Sequence, residues 1–271
     1  MNVVIGGIGI RVSTSSPAFE DLLRTQYAGF IQPEASLPIN AEPNRAIELA
    51  VDLAPPSMMD PDADIQVRNV DNHWIMERGD FHASYDSASR AGVVRQSASR
   101  HSIDSVIRII HSLHLAERSG FLLHAASVIR SDRAFIFAGP SGVGKTTISR
   151  LAPEDAHLLT DEISYVRNVS GSWTAFGTPF AGDLARPGEN RQAGVEALFL
   201  LRHGVENRIK PLNSAAAVRS VMRNVLFFAD DSNLVRQIFA TVCEFVASIR
   251  TYELSFVPDA RVWELIRERI K

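Results

Sequence analysis

The chain has 271 residues, of which 45% are hydrophobic and 22% charged, with a net charge of −3 and a single cysteine. That balance is ordinary for a soluble globular protein, and the length suffices for one large domain or two modest ones. It argues against a broadly basic nucleic-acid binder, because a pI of about 6.2 lacks the electrostatic footprint that polyanion binding requires, and one cysteine excludes an internal disulfide. Cys243, in the apolar stretch 238–249, reads as a small buried hydrophobe. No segment approaches the ~20 apolar residues of a membrane span, and the amino terminus lacks the basic flank and apolar core of an export signal. A cytoplasmic chain with neither nucleic acid nor membrane as partner is expected.

Residues 3–12 are rich in β-branched side chains and predict a strand. The cluster Ser13 to Pro17 then starts a helix carrying Phe19, Leu22, Leu23 and Tyr27 at helical spacing. Ala46 to Leu53 and Ile65 to Val70 predict short strands, separated by breakers at Pro55, Pro56 and Pro61 and followed by His73 to Met76. A small, sheet-rich α+β domain over 1–98 is expected. From Ser102 the residues Ile103, Val106, Ile107, Ile110, Leu113 and Leu115 recur at helical intervals, and Phe121 to Val128 leads into a strand at Ala134 to Ala138. A short helix, a strand around His157 to Glu162, a hairpin at Val169 to Trp173 and a buried strand at Val195 to Leu201 follow. Ala215 to Phe228, Leu234 to Ile249 and Ala260 to Ile270 carry amphipathic helical patterns, so a second domain over 99–271 is expected to end mostly in helix. His73, His82, His101, His111 and His114 give no zinc-ligand spacing; His111 and His114 share a helix face and read as a surface or partly buried pair. Trp74, Trp173 and Trp263 read as packing residues.

The chemistry sits at Gly139-Pro140-Ser141-Gly142-Val143-Gly144-Lys145-Thr146, a complete Gly, four residues, Gly-Lys-Ser/Thr phosphate-binding loop. An apolar strand precedes it and a helix beginning at Thr147 follows. Glycines let the backbone curl round phosphate, and N–H groups at a helix start attract its oxygens. Gly139, Ser141, Gly142, Val143, Gly144, Lys145, Thr146 and Thr147 are therefore the candidate nucleotide-binding residues, with Lys145 on the β- and γ-phosphates and the Thr146 hydroxyl on Mg²⁺. Sixteen residues beyond Lys145, the run Leu158-Leu159-Thr160 ends in the paired acids Asp161-Glu162. Acids at a strand end beside the phosphates hold Mg²⁺ or orient a nucleophile. That short spacing disfavours the motor and transport ATPases, which insert longer segments.

Leu122-Leu123-His124-Ala125-Ala126, the loop, Leu159-Thr160-Asp161-Glu162 and Phe176-Gly177-Thr178-Pro179-Phe180-Ala181-Gly182-Asp183 together resemble the HPr kinase/phosphorylase superfamily, in particular its shorter relatives associated with peptide natural products. The resemblance covers roughly 121–183 and, more faintly, 197–202. It implies an α/β, P-loop-containing kinase domain of HPr-kinase type, with a central sheet and flanking helices, that uses ATP and Mg²⁺ to phosphorylate a hydroxyl, a serine of a peptide or small protein; a nucleotide-gated regulator without phosphotransfer and a small-molecule kinase are the alternatives. By it, Asp161 orients and deprotonates the acceptor, Glu162 helps hold the metal, and His124 positions a carboxylate or the substrate. Asp183 is a further metal or substrate candidate, Arg186 and Arg191 are candidates for phosphate or substrate contact, and a homo-oligomer is open. The glutamate-isoleucine-arginine-glycine signature of the bifunctional enzymes is absent, so the phosphorylase activity is not implied.

Overall fold

The computed structural model describes residues 1–33, 46–55, 63–71 and 73–270. Pro56 and Pro61, two of the expected breakers, lie outside them. The fold is mixed α/β and divides into two compact units: one from Met1 to His114 with Phe227–Val235, the other from Leu115 to Leu226 and from Arg236 onward. The division falls at Leu115, so the helix expected to open the second domain belongs, through His114, to the first.

The first unit carries a seven-stranded sheet in the order β1-β2-β3-β7-β6-β5-β4. Its strands are β1 (Asn2–Ile5), β2 (Ile8–Thr14), β3 (Ile47–Leu53), β4 (Gln66–Val70), β5 (His73–Arg78), β6 (Phe81–Asp86) and β7 (Ala91–Gln96). The single strand expected over 3–12 is a hairpin instead: Gly6 and Gly7 hold φ of 57° and 80°, the left-handed pair of a two-residue turn. Helix α1 (Pro17–Gln26) starts where expected, with the Ser16 hydroxyl accepting from the Phe19 N–H and Pro17 in the first turn. It lies in the crossover from β2 to its parallel neighbour β3. Helix α2 (Arg100–Ala116) is buried along nearly its whole length. His111 and His114, expected near the surface, are 0% and 5% exposed, and the Tyr85 hydroxyl lies 2.6 Å from His114 Nε2. Burial, with His114 adding to it, holds the His111 pKa down to about 3, so it is neutral in the folded protein.

The second unit carries a nine-stranded sheet built from β8 (Gly120–Arg130), β9 (Arg133–Ala138), β10 (His157–Thr160), β11 (Ile163–Val169), β12 (Ser172–Phe176), β13 (Gln192–His203), β14 (Arg208–Pro211), β15 (Val225–Leu226) and β16 (Arg250–Phe256). Helices α3 (Lys145–Arg150), α4 (Ser214–Met222), α5 (Ser232–Ser248, of this unit from Arg236 onward) and α6 (Arg261–Arg269) accompany them. The expected hairpin forms between β11 and β12, with Ser170 and Gly171 at φ of 51° and 87°. The carboxyl-terminal part is less helical than its pattern suggests. Strands β14, β15 and β16 intervene, and α4 stops at Met222 rather than continuing to Phe228 because the chain turns to pair β15 with β8. Cys243 on α5 is only half-buried, whereas Trp74, Trp173 and Trp263 are buried as expected.

Three parallel strands, β9, β13 and β16, form the part of the sheet that positions the site. Phe137 stacks on Phe199 and Phe199 on Tyr252, with ring centroids 5.3 and 5.5 Å apart, and Trp263 of α6 packs edge-on against Phe137. The Trp263 indole N–H also donates to the Ile148 carbonyl at 3.1 Å. Helix α3 is thereby fixed to the aromatic core, and with it the loop that precedes it.

Candidate functional site

The loop leaves β9 at Ala138 and enters α3 at Lys145, at the carboxyl ends of the parallel strands, where open α/β sheets bind ligands. Gly142 and Gly144 hold φ of 76° and 112°, a backbone that side-chain-bearing residues avoid and that turns successive N–H groups into an anion-binding concavity. A Cβ on Gly144 would also lie 2.8 Å from Cζ of Phe256, so the β16 ring seals the outside of the turn. Helix α3 has six residues, too short for a large macrodipole; the curled loop itself must supply most of the attraction for phosphate. Lys145 is 6% exposed, and its ammonium donates to the carbonyls of Gly139 and Pro140 at 3.1 Å each. Burial holds its pKa below the usual lysine value, against the opposing pull of the Glu162 and Asp183 carboxylates.

Ser141, Gly142, Gly144, Lys145, Thr146 and Thr147 line a cleft of about 420 Å³ that His124, Arg150, Glu162 and Asp183 complete. Val143 is not among its walls: the side chain is 4% exposed and belongs to the aromatic core, leaving only its backbone for a ligand. His124 sits in the middle of β8, opposite Ile163 on β11. Its Nε2 is 3.6 Å from Glu162 Oε1, and its backbone N–H donates to the Asn224 carbonyl at 2.7 Å.

The two neighbouring acids do different things. After β10 the Thr160 hydroxyl accepts from the N–H groups of Glu162 and Ile163 at 3.1 Å, forming a side-chain-capped turn that sends Asp161 inward and Glu162 outward. Asp161 is 1% exposed; its Oδ1 accepts from the Gly182 N–H and its Oδ2 from the Leu184 N–H, both at 2.9 Å. Both oxygens of Asp161, the residue expected to act as base, accept from the backbone of the 176–191 segment. That segment explains the Phe176–Asp183 motif. The Thr178 N–H donates to Leu159 and its hydroxyl to the Ile163 carbonyl. A Cβ on Gly177 would fall 1.8 Å from the Glu189 carbonyl oxygen, and one on Gly188 would fall 1.7 Å from that of Leu159. Asp161 thus holds the segment from below and delivers Asp183 to the cleft.

Of the two arginines singled out from sequence, Arg191 pairs with Glu189 at 3.0 Å and does not line the cleft. Arg186 lines an adjoining hollow of about 460 Å³ together with Arg150 and Leu184. Arg150 and Phe256 are site residues that the sequence reading missed; Arg150 lies one turn along α3 from Thr146, and that helical spacing was the available signal. Among the described residues, no group of three or more His, Cys, Asp or Glu side chains is arranged to hold a metal. The donors in the cleft, the Thr146 hydroxyl and the Glu162 and Asp183 carboxylates, are hard oxygens. They fit Mg²⁺, which uses one or two protein carboxylates and takes its other ligands from phosphate and water.

The family model described as SynChlorMet cassette protein ScmC matches residues 94–271, about two thirds of the chain. The chain belongs to the ScmC family. The ScmC match begins within β7 and takes in every residue of the cleft, leaving β1 to β6 outside it. No curated protein matches the chain. Among solved structures, the Hpr(Ser) kinase/phosphatase from Coxiella burnetii is similar over 47% of this chain and 91% of its own, at 11% identity and a TM-score of 0.26; a superposition that loose does not equate the two architectures. Among the described residues, no helix of this ScmC-family chain is long and apolar enough to cross a membrane.

Proposed function

We propose that this chain is an ATP- and Mg²⁺-dependent kinase of the HPr-kinase type, phosphorylating a hydroxyl on a peptide or small protein. The observation that carries this reading is the convergence, in one cleft, of the glycine-curled loop, Lys145, Thr146, two carboxylates and a histidine. A nucleotide-binding loop alone supports only occupancy or hydrolysis; phosphotransfer needs a group to take the acceptor's proton and a metal site beside the phosphates.

Lys145 would leave its loop carbonyls for the β- and γ-phosphates, trading two neutral acceptors for charged ones. Thr146, Glu162 and Asp183 would hold Mg²⁺, which neutralises charge on the transferring phosphoryl group. His124 faces the same space with Glu162 beside it. In the proposed step the acceptor oxygen forms a bond to the γ-phosphorus, the bond to the β-phosphate oxygen breaks, ADP leaves, and the hydroxyl proton passes to His124, whose imidazolium Glu162 stabilises. Asp161 serves as a positioning residue.

The test is transfer of label from [γ-³²P]ATP to candidate peptides, with fluorescent-nucleotide titration alongside. His124→Gln should cut transfer by about 10²–10⁴-fold and leave nucleotide affinity within twofold. Nucleotide bound tightly but label released only as free phosphate would refute the kinase reading and leave a nucleotide-gated switch.

A further inference from the structure

His124 lines two cavities. On its other side from the phosphate cleft is a second hollow of about 340 Å³, also walled by Ala138, Gly139 and Pro140. Its floor follows a row across the parallel strands: Leu200 of β13 is the register partner of Ala138 on β9 and of Glu253 on β16. Neighbouring residues along the same strands, Phe199, Tyr252 and Leu254, belong to the aromatic core on the opposite face of the sheet. The facing wall is the end of α4, with Ser220, Arg223 and Asn224. This wall is tied down, because the Asn224 carbonyl accepts from the His124 N–H and the Asn224 side chain donates to the Ser220 carbonyl at 2.8 Å.

The direction of the loop says what belongs there. In a loop of this sequence the lysine serves the β- and γ-phosphates while the backbone cradles the α- and β-phosphates. Here the Lys145 ammonium lies against Gly139 and Pro140, at the loop's first residues, which also wall the second hollow, and His124 lines both spaces. A group held in that hollow meets the γ-phosphoryl beside His124. A volume of 340 Å³ is at the small end of ligand clefts, roughly 300–1,000 Å³, and takes a short stretch of chain rather than a folded surface. Its charge is unbalanced. Arg202 is matched by Glu253 at 3.4 Å, whereas Arg223 has no ion-pair partner among the described residues. One unmatched guanidinium, beside a lining whose other two charges, Arg202 and Glu253, pair with each other, favours a carboxylate in the occupant.

We infer that the second hollow is the acceptor site, and that Arg223 selects a serine or threonine flanked by an acidic residue within a short peptide. The inference rests on the phosphotransfer reading. The probe is a library of short peptides with a central serine or threonine and Asp, Gln or Lys at each flanking position, assayed with [γ-³²P]ATP. The native chain should prefer Asp at one flanking position by about tenfold. Arg223→Gln should erase that preference and Arg223→Glu should turn it towards Lys, with nucleotide affinity and melting temperature unchanged in both. As a variant that does not depend on charge, Ser220→Trp should fill the hollow and abolish transfer while nucleotide still binds. Transfer without charge preference, or with the acidic preference intact in Arg223→Glu, would overturn the acceptor assignment and leave the kinase reading standing. No label on any peptide, with nucleotide bound, would overturn both.

Discussion

Replacing Asp161 by Asn separates a structural acid from a catalytic one. The carboxylate is buried and accepts from the Gly182 and Leu184 N–H groups at 2.9 Å each, one oxygen to each donor. An asparagine keeps one oxygen and turns an NH₂ towards the other donor, so one charge-assisted bond is lost and a buried N–H loses its partner. Bonds to charged groups contribute about 1.5–3 kcal/mol and an unsatisfied buried donor costs about 1–3 kcal/mol, so the substitution should cost about 2.5–6 kcal/mol in all. For a unit of this size, each kcal/mol moves the melting temperature by about 2–4 °C, giving a fall of about 5–24 °C. Glu162→Gln is the comparison: its side chain is 37% exposed, and the change should stay within about 0.5 kcal/mol while transfer collapses. Thermal melts followed by circular dichroism, with limited proteolysis across residues 177–191, measure both. If Asp161→Asn melts with the native protein yet loses transfer, Asp161 acts on the substrate and the division of roles between the two acids is wrong.

Gly144→Ala meets both a φ of 112° and the Phe256 ring; it should abolish nucleotide binding and lower stability by more than the ~1–2 kcal/mol of left-handed strain alone. Gly142→Ala meets only open space at φ 76° and should cost about that strain and no more, a contrast that paired melts and nucleotide titrations resolve. Because burial lowers the Lys145 pKa, nucleotide affinity should fall with rising pH earlier than an ordinary lysine at about 10.4 would allow. Bound phosphate restores the charge, so binding should take up protons in that window, measurable by calorimetry in buffers of different ionisation enthalpy. His111, held at about 3 when folded and near ~6.5 when unfolded, contributes stability that is full above pH ~6.5. That stability is lost as pH falls towards 3, by at most about 5 kcal/mol. Urea midpoints should drop across that range, and His111→Leu should flatten the drop.

The loop and its strand-to-helix setting were legible because every requirement is local: glycines where the chain must curl, a lysine and threonine at fixed offsets, an apolar strand before them. The helix start at Ser16 and the hairpin at Ser170-Gly171 were legible for the same reason. What the sequence reading missed depends on distant partners. Strand β16 looks like a short linker after a helix until β13 pairs with it, and only that pairing places Phe256 against Gly144. Strands β6 and β7 alternate correctly, with Phe81, Ala83 and Tyr85 inward, but small and polar residues dilute the signal. The pair His111 and His114 looked solvated because histidine often is, yet α2 is enclosed on nearly every side.

The roles of Asp161 and Glu162 show why a motif does not by itself assign chemistry. The two adjacent carboxylates differ in burial, Asp161 being 1% exposed and the Glu162 side chain 37%, and sequence alone does not say which of them the returning chain will hold. The decision is made by the returning 176–191 segment, which reaches β10 only because Gly177 and Gly188 lack side chains. Once it is seated, its amides claim the inward acid and its Asp183 joins the outward one. A Cβ on Gly182 would come within 2.9 Å of oxygens from both acids, so only a residue without a side chain lets the segment pass this close to the pair. The Phe176–Asp183 motif is therefore part of how the cleft is built: its backbone binds Asp161, and its Asp183 lines the cleft with Glu162 and Lys145.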